Sequence, residues 1–310
     1  MSAPKDFLSL ADWPAEELRA ILARAHELKR AYRQGETPQT LRGRTLAMYF
    51  EKPSLRTHVT FEAGMTQLGG HAILLRPEQV GIGTRESPAD VARNLSRWVH
   101  GILARTFDHA LVEELAAAAD IPVINGLTDL LHPCQAMADL QTVTERADLA
   151  KTVIAYVGDG NNVANSLLNA IAVLGGELRL ATPATHQPAL QVRHRARELA
   201  RRSGARITWT PDPAEAVRGA HFVYTDVWTS MGQESESERR KALFEPFQLS
   251  ARLLRHAPEA WVMHCLPAHR GEEITDEVLD GPRSIVFDQA ENRLHAQKAI
   301  LERLLAGGGR

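Results

Sequence analysis

Two short polar stretches, far apart in the chain, carry side chains that suit a phosphate and a neighbouring carbonyl group. The first, Ser54-Leu55-Arg56-Thr57, follows an apolar run and opens a helical pattern, so its backbone N–H groups are predicted to lie at a helix N-terminus. Anions are favoured there, and arginine matches phosphate oxygens in a bidentate manner. A plain serine cap would explain Ser54 alone. Arg105, at the end of another apolar run, favours an anion site because ligands of open α/β sheets bind at strand carboxyl ends.

The second stretch is His132-Pro133-Cys134-Gln135. Proline in the first turn of a helix is common, so a purely structural interpretation is available. His132, however, can donate to an oxyanion that develops on a carbonyl, and Gln135 offers an acceptor and donors to an amide. Those are the requirements of a carbamoyl group.

Gly158-Asp159-Gly160-Asn161-Asn162 follows an apolar run and partly matches a dinucleotide-binding motif. The match fails because valine stands where the third glycine belongs, and the next strand lacks the ribose-binding carboxylate. Asparagines can simply shape a turn. A side-chain amide at a strand end can also hold an amino-acid carboxylate, which makes Asn162 a candidate binding residue.

Further candidates follow two later apolar runs: Asp226, Ser230 and Met231 after one, and Cys265 after the other. An acid that caps a loop is as good an explanation for Asp226 alone, and cysteine is most often a small buried hydrophobe. Together, an anionic and a polarisable group at adjacent strand ends suit a substrate that carries an ammonium group.

The elements that must position these residues form an α/β pattern. Short apolar runs alternate with helical patterns, which predicts two domains, each a parallel sheet flanked by helices. The predicted strands are 46–50, 72–75, 101–105, 122–125, 153–157, 178–182, 207–210, 221–225, 260–264 and, as a strand-like run, 284–287. We predict a first domain over 1–148 and a second over 149–288, with the C-terminal helix of 289–310 packing back on the first. Asp12 is predicted to cap a helix that ends near Arg33.

Composition excludes several classes of protein. The chain has 310 residues, enough for two cores, and its 36 Lys and Arg against 38 Asp and Glu give no general attraction to nucleic acid or anionic membranes. Two cysteines form no disulfide framework or zinc-like cluster, which favours a reducing cytoplasm. No window resembles a membrane span or secretion signal.

Taken together, the motifs resemble the aspartate/ornithine carbamoyltransferase family, and the ornithine branch in particular. The resemblance runs from about Asp6 to Leu305 and rests on four segments: 50–57, 132–135, Asp226 with 230–232, and 264–267. The segment 287–293 also matches. The first two segments would fit the aspartate enzymes equally, whereas those enzymes carry a basic pocket in place of the last two.

The resemblance implies transfer of a carbamoyl group from carbamoyl phosphate to the δ-amine of L-ornithine, giving citrulline and phosphate without cofactor or metal. It assigns the phosphate to Ser54, the Leu55 backbone, Arg56, Thr57 and Arg105, and the carbamoyl group to His132, Gln135, Cys265, Leu266 and Arg293. It assigns ornithine to Asn162, Asp226, Ser230 and Met231. Arg56, Arg105, His132, Gln135, Asp226 and Cys265 are the expected catalytic set.

The resemblance further implies a homotrimer, or a multiple of trimers, in which Gln79 reaches the site of a neighbouring subunit. Carbamoyltransferases acting on putrescine or N-acetylornithine are the alternative enzymes, and a non-catalytic carbamoyltransferase-like binding protein is the alternative of another class. His58 stands where the family commonly has arginine. A fixed positive charge is thereby replaced by a side chain that can be neutral or charged.

Overall fold

A computed structural model of the protein describes residues 4–229 and 237–306. The chain divides into two compact units. One comprises Met1–Gln141 together with Glu291–Arg310, and the other comprises Thr142–Ala290. We call them the terminal unit and the central unit.

The terminal unit contains a four-stranded parallel sheet in the order β2-β1-β3-β4. Each strand is a short apolar run, and β3 and β4 are buried along their whole length, as is usual for a sheet covered by helices on both faces. The strands are β1 Thr45–Phe50, β2 His71–Leu75, β3 Gly101–Arg105 and β4 Val123–Leu127. The helices are α1 Ala15–Arg33, α2 Leu55–Gln67, α3 Pro77–Val80, α4 Pro88–Trp98, α5 His109–Ala118 and α6 Pro133–Thr144, the last of which runs into the central unit.

The central unit contains a five-stranded parallel sheet in the order β7-β6-β5-β8-β9. Its strands are β5 Val153–Val157, β6 Glu177–Ala181, β7 Arg206–Thr210, β8 Phe222–Thr225 and β9 Trp261–His264. Its helices are α7 Asn162–Leu174, α8 Leu190–Ser203, α9 Pro213–Val217, α10 Ser237–Phe244, α11 Ala251–Leu254 and α12 Asp276–Leu279. The predicted fold class is therefore confirmed in each unit.

The last helix, α13 Val286–Leu305, begins in the central unit and continues into the terminal unit. There it contacts α1: the buried Lys29 ammonium donates to the Asn292 side chain at 2.7 Å, and Arg24 donates to Glu302 at 2.6 Å. The predicted return of the C-terminal helix is thus confirmed. The prediction of a strand at 284–287 is wrong. Within this run only Ser284 makes a β-bridge, with Val262, and the helix begins at Val286.

Asp12 is not the cap of α1. It ends a short 3₁₀ turn, Leu10–Asp12, that Ser9 caps, and α1 starts after Pro14. The end of α1 at Arg33 is as predicted. Within the residues that the structure describes, no helix is long and apolar enough to cross a membrane.

Both sheets reverse their strand order at one point. In the terminal unit β1 and β3 are neighbours, and the chain continues from β1 to one edge of the sheet and from β3 to the other. In the central unit the same holds for β5 and β8. Such a reversal opens a crevice at the carboxyl ends of the strands, where ligands of α/β proteins bind. The two positions therefore identify where a site in each unit should be sought.

Candidate active site

Helix α2 begins directly beyond β1, at the reversal point of the terminal unit. Ser54 is its N-cap, and the Ser54 hydroxyl oxygen accepts from the Thr57 backbone N–H at 3.1 Å. The hydroxyl hydrogen remains able to donate to an anion. The Leu55 side chain is exposed, which is compatible with a role for its backbone alone. The local sequence therefore presents a helix N-terminus at the strand edge.

Buried arginines converge on Thr57. Arg105 comes from the end of β3, in register with Phe50 of β1, and lies 3.4 Å from the Thr57 hydroxyl. Arg293, on α13, donates to the same hydroxyl at 2.8 Å. All three side chains are at most 5 % exposed. Guanidinium groups so close together make this position favourable for an anion, and arginine matches phosphate oxygens in a bidentate manner.

His132 lies among the same cations. It precedes α6 and is buried. Burial first, and then the charges of Arg293, Arg105 and Arg56, lower the pKa of His132 well below its usual value. The imidazole is therefore neutral at physiological pH and can donate an N–H to a carbonyl oxygen without adding charge.

The orientation of the Gln135 amide is fixed from both sides. Its oxygen accepts from Arg293 at 2.6 Å, and its nitrogen donates to Asp139 at 2.8 Å. Each partner permits only one assignment of the amide, since a guanidinium only donates and a carboxylate only accepts. The second lone pair of the Gln135 oxygen can then accept from an amino group of a ligand.

Gln79 and His58 are not part of this cluster. Gln79 is exposed on α3, and its side-chain oxygen accepts from the Arg76 backbone N–H at 3.1 Å. His58 lies one residue beyond Thr57, half-buried, with a ring nitrogen 3.1 Å from Glu62 and its ring against Phe50. Glu62 is thus the acidic partner of His58.

In the central unit, Asn161 and Asp226 meet at the reversal point. Asn161 caps α7: its side-chain oxygen accepts from the backbone N–H groups of Val163 and Ala164, and its nitrogen donates to Asp226 at 2.7 Å. Asn162 is the first residue of α7 and is half-buried. The other Asp226 oxygen accepts from the Cys265 thiol at 2.9 Å. The structure therefore brings Asp226 and Cys265 together, as the sequence predicted.

The turn before Asn161 has two positions at which only glycine fits well, one because of close packing and one because of its backbone conformation. A Cβ on Gly160 would lie 2.3 Å from backbone atoms of Gln187 and Pro188. Gly158 has φ 138°, which disfavours other residues. The resemblance of this turn to a dinucleotide motif is thus explained by close packing of two loops.

Asp159, in the same turn, is paired with Arg240 of α10, which also donates to the Trp228 carbonyl at 2.6 Å. Burial raises the pKa of Asp159 to about 7 and outweighs the opposing effect of Arg240. The predicted residues Ser230 and Met231 lie outside the described residues.

Cys265, Asp226 and His264 present metal-ligand atoms within 4.8 Å of one another. Both ring nitrogens of His264 are already engaged, one with the Leu266 N–H and the other with Glu273. His264 would have to give up one of these bonds to act as a ligand.

Sequence reasoning missed residues that hold the candidate side chains. Asp139 orients Gln135, Asn161 orients Asp226, and Arg240 binds the turn beside them. Asp139 lies four residues after Gln135, so helical spacing was an available signal. Asn161 adjoins the predicted Asn162. Arg240 had no local signal.

The comparison with known proteins agrees with this geometry. Residues 5–145 match the model of the aspartate/ornithine carbamoyltransferase carbamoyl-P binding domain, and residues 150–304 match that of the Asp/Orn binding domain. The chain belongs to the aspartate/ornithine carbamoyltransferase family. The resemblance found in the motifs is thereby confirmed.

Individual members of the carbamoyltransferase family match over nearly the full length. A protein of Methanoculleus marisnigri named ornithine carbamoyltransferase is 51 % identical over 98 % of both chains. One of Pyrococcus furiosus, named ornithine carbamoyltransferase, anabolic, is 50 % identical over 98 % of both. The solved P. furiosus ornithine carbamoyltransferase superposes with a TM-score of 0.96 over 99 % of both chains, at 48 % identity. The Thermus thermophilus structure of that name gives 0.87 at 48 % identity, over 98 % of this chain and 100 % of that one.

Proposed function

We propose that the protein transfers the carbamoyl group of carbamoyl phosphate to the δ-amine of L-ornithine, giving L-citrulline and phosphate. The observation that carries the proposal is the neutral His132 among Arg56, Arg105 and Arg293, beside a Gln135 amide held in one orientation. A phosphate suits the group of arginines, and a carbamoyl group fits an imidazole donor beside an amide acceptor.

In this proposal the phosphate lies at the start of α2, held by Ser54, Arg56, Thr57, Arg105 and the Leu55 N–H. His132 donates to the carbamoyl oxygen, and the Gln135 oxygen accepts from the carbamoyl amino group. Because Arg293 holds both Thr57 and Gln135, it fixes the spacing of the phosphate and carbamoyl sites. Gln79 would complete the phosphate site of a neighbouring subunit.

The chemical step is attack of a neutral amine on the carbamoyl carbon. An alkyl ammonium with pKa near ~10 carries no lone pair, so the site must bind or generate the free amine. As the amine attacks and forms the new C–N bond, negative charge grows on the carbonyl oxygen. Collapse of this adduct breaks the bond from the carbamoyl carbon to the phosphate oxygen, and the departing phosphate carries the charge and takes up the proton that the amine loses. Fixed donors from His132 and the arginines stabilise that charge without having to reorient, and no covalent enzyme intermediate is required.

Ornithine is assigned to the central unit, with Asn162, Asp226, Ser230 and Met231 reading its α-amino and α-carboxylate groups. Cys265 and Leu266 are the further residues that the family resemblance assigns to the carbamoyl group. The hydrogen bonds of Asn161 and Cys265 to Asp226 support this because they hold the carboxylate in place. The names of the relatives and of the matched second domain also support an amino-acid acceptor.

The proposed setting is cytoplasmic arginine biosynthesis in a homotrimer or a multiple of trimers. The anabolic name of the P. furiosus relative supports the pathway. We assign one substrate to each predicted domain. Carbamoyl phosphate binds to 1–148 together with the last helix, and ornithine binds to 149–288.

The test is a panel of acceptors offered with carbamoyl phosphate: ornithine, putrescine, N-acetylornithine and aspartate. A colour assay for the ureido group and phosphate release are measured together. We expect turnover with ornithine, and a matched His132→Ala preparation identifies contaminating activity. Preference for another acceptor would refute the ornithine assignment, and carbamoyl phosphate binding without turnover would establish a binding protein instead.

A further inference from the structure

The segment that carries Cys265 is held by a buried pair of residues outside the proposed substrate contacts. His264 ends β9, and Glu273 lies beyond the following turn; both are fully buried. A ring nitrogen of His264, Nε2, lies 2.9 Å from the Glu273 oxygen Oε1. Two such groups are costly to bury unless their hydrogen bonds are met, so the pair invites a functional explanation.

The backbone fixes the protonation of the imidazole. The Leu266 N–H donates to Nδ1 of His264 at 2.9 Å, and an N–H can only donate, so Nδ1 carries no proton. The ring proton is therefore on Nε2 and points at Glu273. Without the carboxylate, the other tautomer would turn an N–H of the ring toward the N–H of Leu266.

Glu273 also closes the turn that contains Cys265. The same oxygen accepts from the His269 backbone N–H at 2.6 Å, so one carboxylate holds both ends of residues 264–269. The Glu273 carbonyl in turn accepts from the Leu249 N–H at 2.8 Å. Glu273 is thus held in place by its backbone carbonyl, and its side chain holds the turn.

The turn needs such support. Leu266 has φ 57°, a left-handed conformation that is unfavourable for a non-glycine residue. The backbone N–H of this strained residue donates the hydrogen bond that the His264 ring accepts. The preceding residue, Cys265, reaches Asp226 with its thiol at 2.9 Å. Loss of the imidazole contact would therefore release both the Leu266 backbone and the Cys265 side chain.

We propose that Glu273 is a positioning residue: through His264 it sets the Leu266 backbone and the Cys265 thiol in the geometry that carbamoyl transfer requires. The kinetic side of this inference rests on the proposed function, whereas the thiol geometry does not. The second Glu273 oxygen has no hydrogen-bond partner among the described residues, and the His269 and Glu272 side chains lie beside the carboxylate.

The experiment compares Glu273→Gln, which keeps an acceptor for both N–H groups, with Glu273→Met, which has similar length and no acceptor. Glu272→Gln is the matched control, because the Glu272 carboxylate is paired with Lys241, whereas the partner of the His264 ring is Glu273. We expect Glu273→Met to lower kcat by about 10- to 100-fold, the cost of misplaced reacting groups. KM for carbamoyl phosphate should change little, since the terminal unit holds the phosphate. Glu273→Gln and Glu272→Gln should remain near wild type.

The second readout needs no substrate. Cys265 is partly exposed, whereas Cys134, the other cysteine, is buried and burial raises its pKa to about 12, so iodoacetamide reports on Cys265. Loss of one hydrogen bond at the thiol should speed alkylation about tenfold in Glu273→Met. A protein without carbamoyltransferase activity would still give this result, so failure of the proposed function is distinguished from failure of the inference.

Unchanged kcat and alkylation in Glu273→Met would overturn the proposal, as would equal losses in Glu273→Met and Glu273→Gln. If Glu273→Met does not fold, His264→Asn replaces it. An asparagine amide can accept from the Leu266 N–H without help from Glu273, so this variant should keep more activity than His264→Ala. Equal loss in these two variants would also overturn the positioning role.

Discussion

Replacing Gln135 with glutamate tests whether Asp139 and Arg293 dictate the orientation of this side chain. The new carboxylate keeps the contact with Arg293 but places a second acceptor 2.8 Å from Asp139. At that distance two carboxylates repel by about 6 kcal/mol at an effective dielectric constant of about 20. Protonating the glutamate instead costs about 4 kcal/mol at pH 7, from a reference pKa near ~4.3. The cheaper alternative prevails, so the variant should take up a proton when it folds.

The sign of the pH dependence follows from that proton. The folded-state pKa of the new carboxyl is raised above its unfolded value, so the loss of stability grows with pH by about 1.4 kcal/mol per unit. We expect a loss of about 4 kcal/mol at pH 7 and about 1 kcal/mol at pH 5. Melting temperatures of Gln135→Glu and wild type, measured side by side across this range, report the difference.

Asp139→Asn added to Gln135→Glu supplies the matched control, because the new amide can donate to the glutamate. The double variant should recover most of the stability and lose the pH-dependent difference. Carbamoyl phosphate binding by the folded single variant should follow the wild-type pH dependence between pH 5 and pH 7, because the glutamate stays protonated over this range and imitates the amide. A single variant with no pH-dependent defect, or a double variant without recovery, would refute the assigned orientation of Gln135.

Three further predictions concern other parts of the molecule. Arg56→Ala should abolish useful turnover, since a phosphate loses a bidentate partner; near-normal turnover and carbamoyl phosphate affinity would remove Arg56 from the site. His295 is buried on α13, and burial lowers its pKa to about 4, so wild type should lose about 2 kcal/mol between pH 6.5 and pH 5 as the unfolded imidazole takes up a proton. His295→Gln should melt with a smaller difference between those pH values, and an unchanged difference would mean that His295 titrates normally. If the protein assembles into the proposed trimer, Arg56→Ala chains alone and Gln79→Ala chains alone should each be nearly inactive, whereas mixed trimers should regain activity in the citrulline assay. No recovery in verified mixed trimers would mean that Gln79 does not serve a neighbouring subunit.

The strands were predictable from sequence because each is a short apolar run between polar turns. Gly101–Arg105 and Val153–Val157 have the predicted bounds. The run at 284–287 was wrongly predicted as a strand because Ile285 and Val286 are apolar. In the structure both side chains are buried in the core, and they do not form a strand. Asp12 misled because Ser9 and Pro14 offered competing signals for the start of α1.

The candidate side chains of the site could be proposed from the sequence where a motif supplies them, as with His132, Gln135, Asp226 and Cys265. The residues that hold those groups were not predicted. Asp139 and Glu273 act through one other side chain each, and their importance depends on distances that spacing along the chain does not give. The charge state of His132 likewise follows from burial among arginines that come from separate elements.

The discontinuous terminal unit has a consequence for biosynthesis. Its sheet is encoded before residue 141, whereas its last helix is translated roughly 150 residues later, which at ~5–20 residues per second is a delay on the order of 10–30 s. During that interval Lys29 lacks Asn292 and Thr57 lacks Arg293, while the continuous central unit is synthesised in full. The first half of the protein to leave the ribosome is therefore the last to complete its core, and a nascent chain stalled before residue 291 would present an unfinished surface to chaperones and proteases.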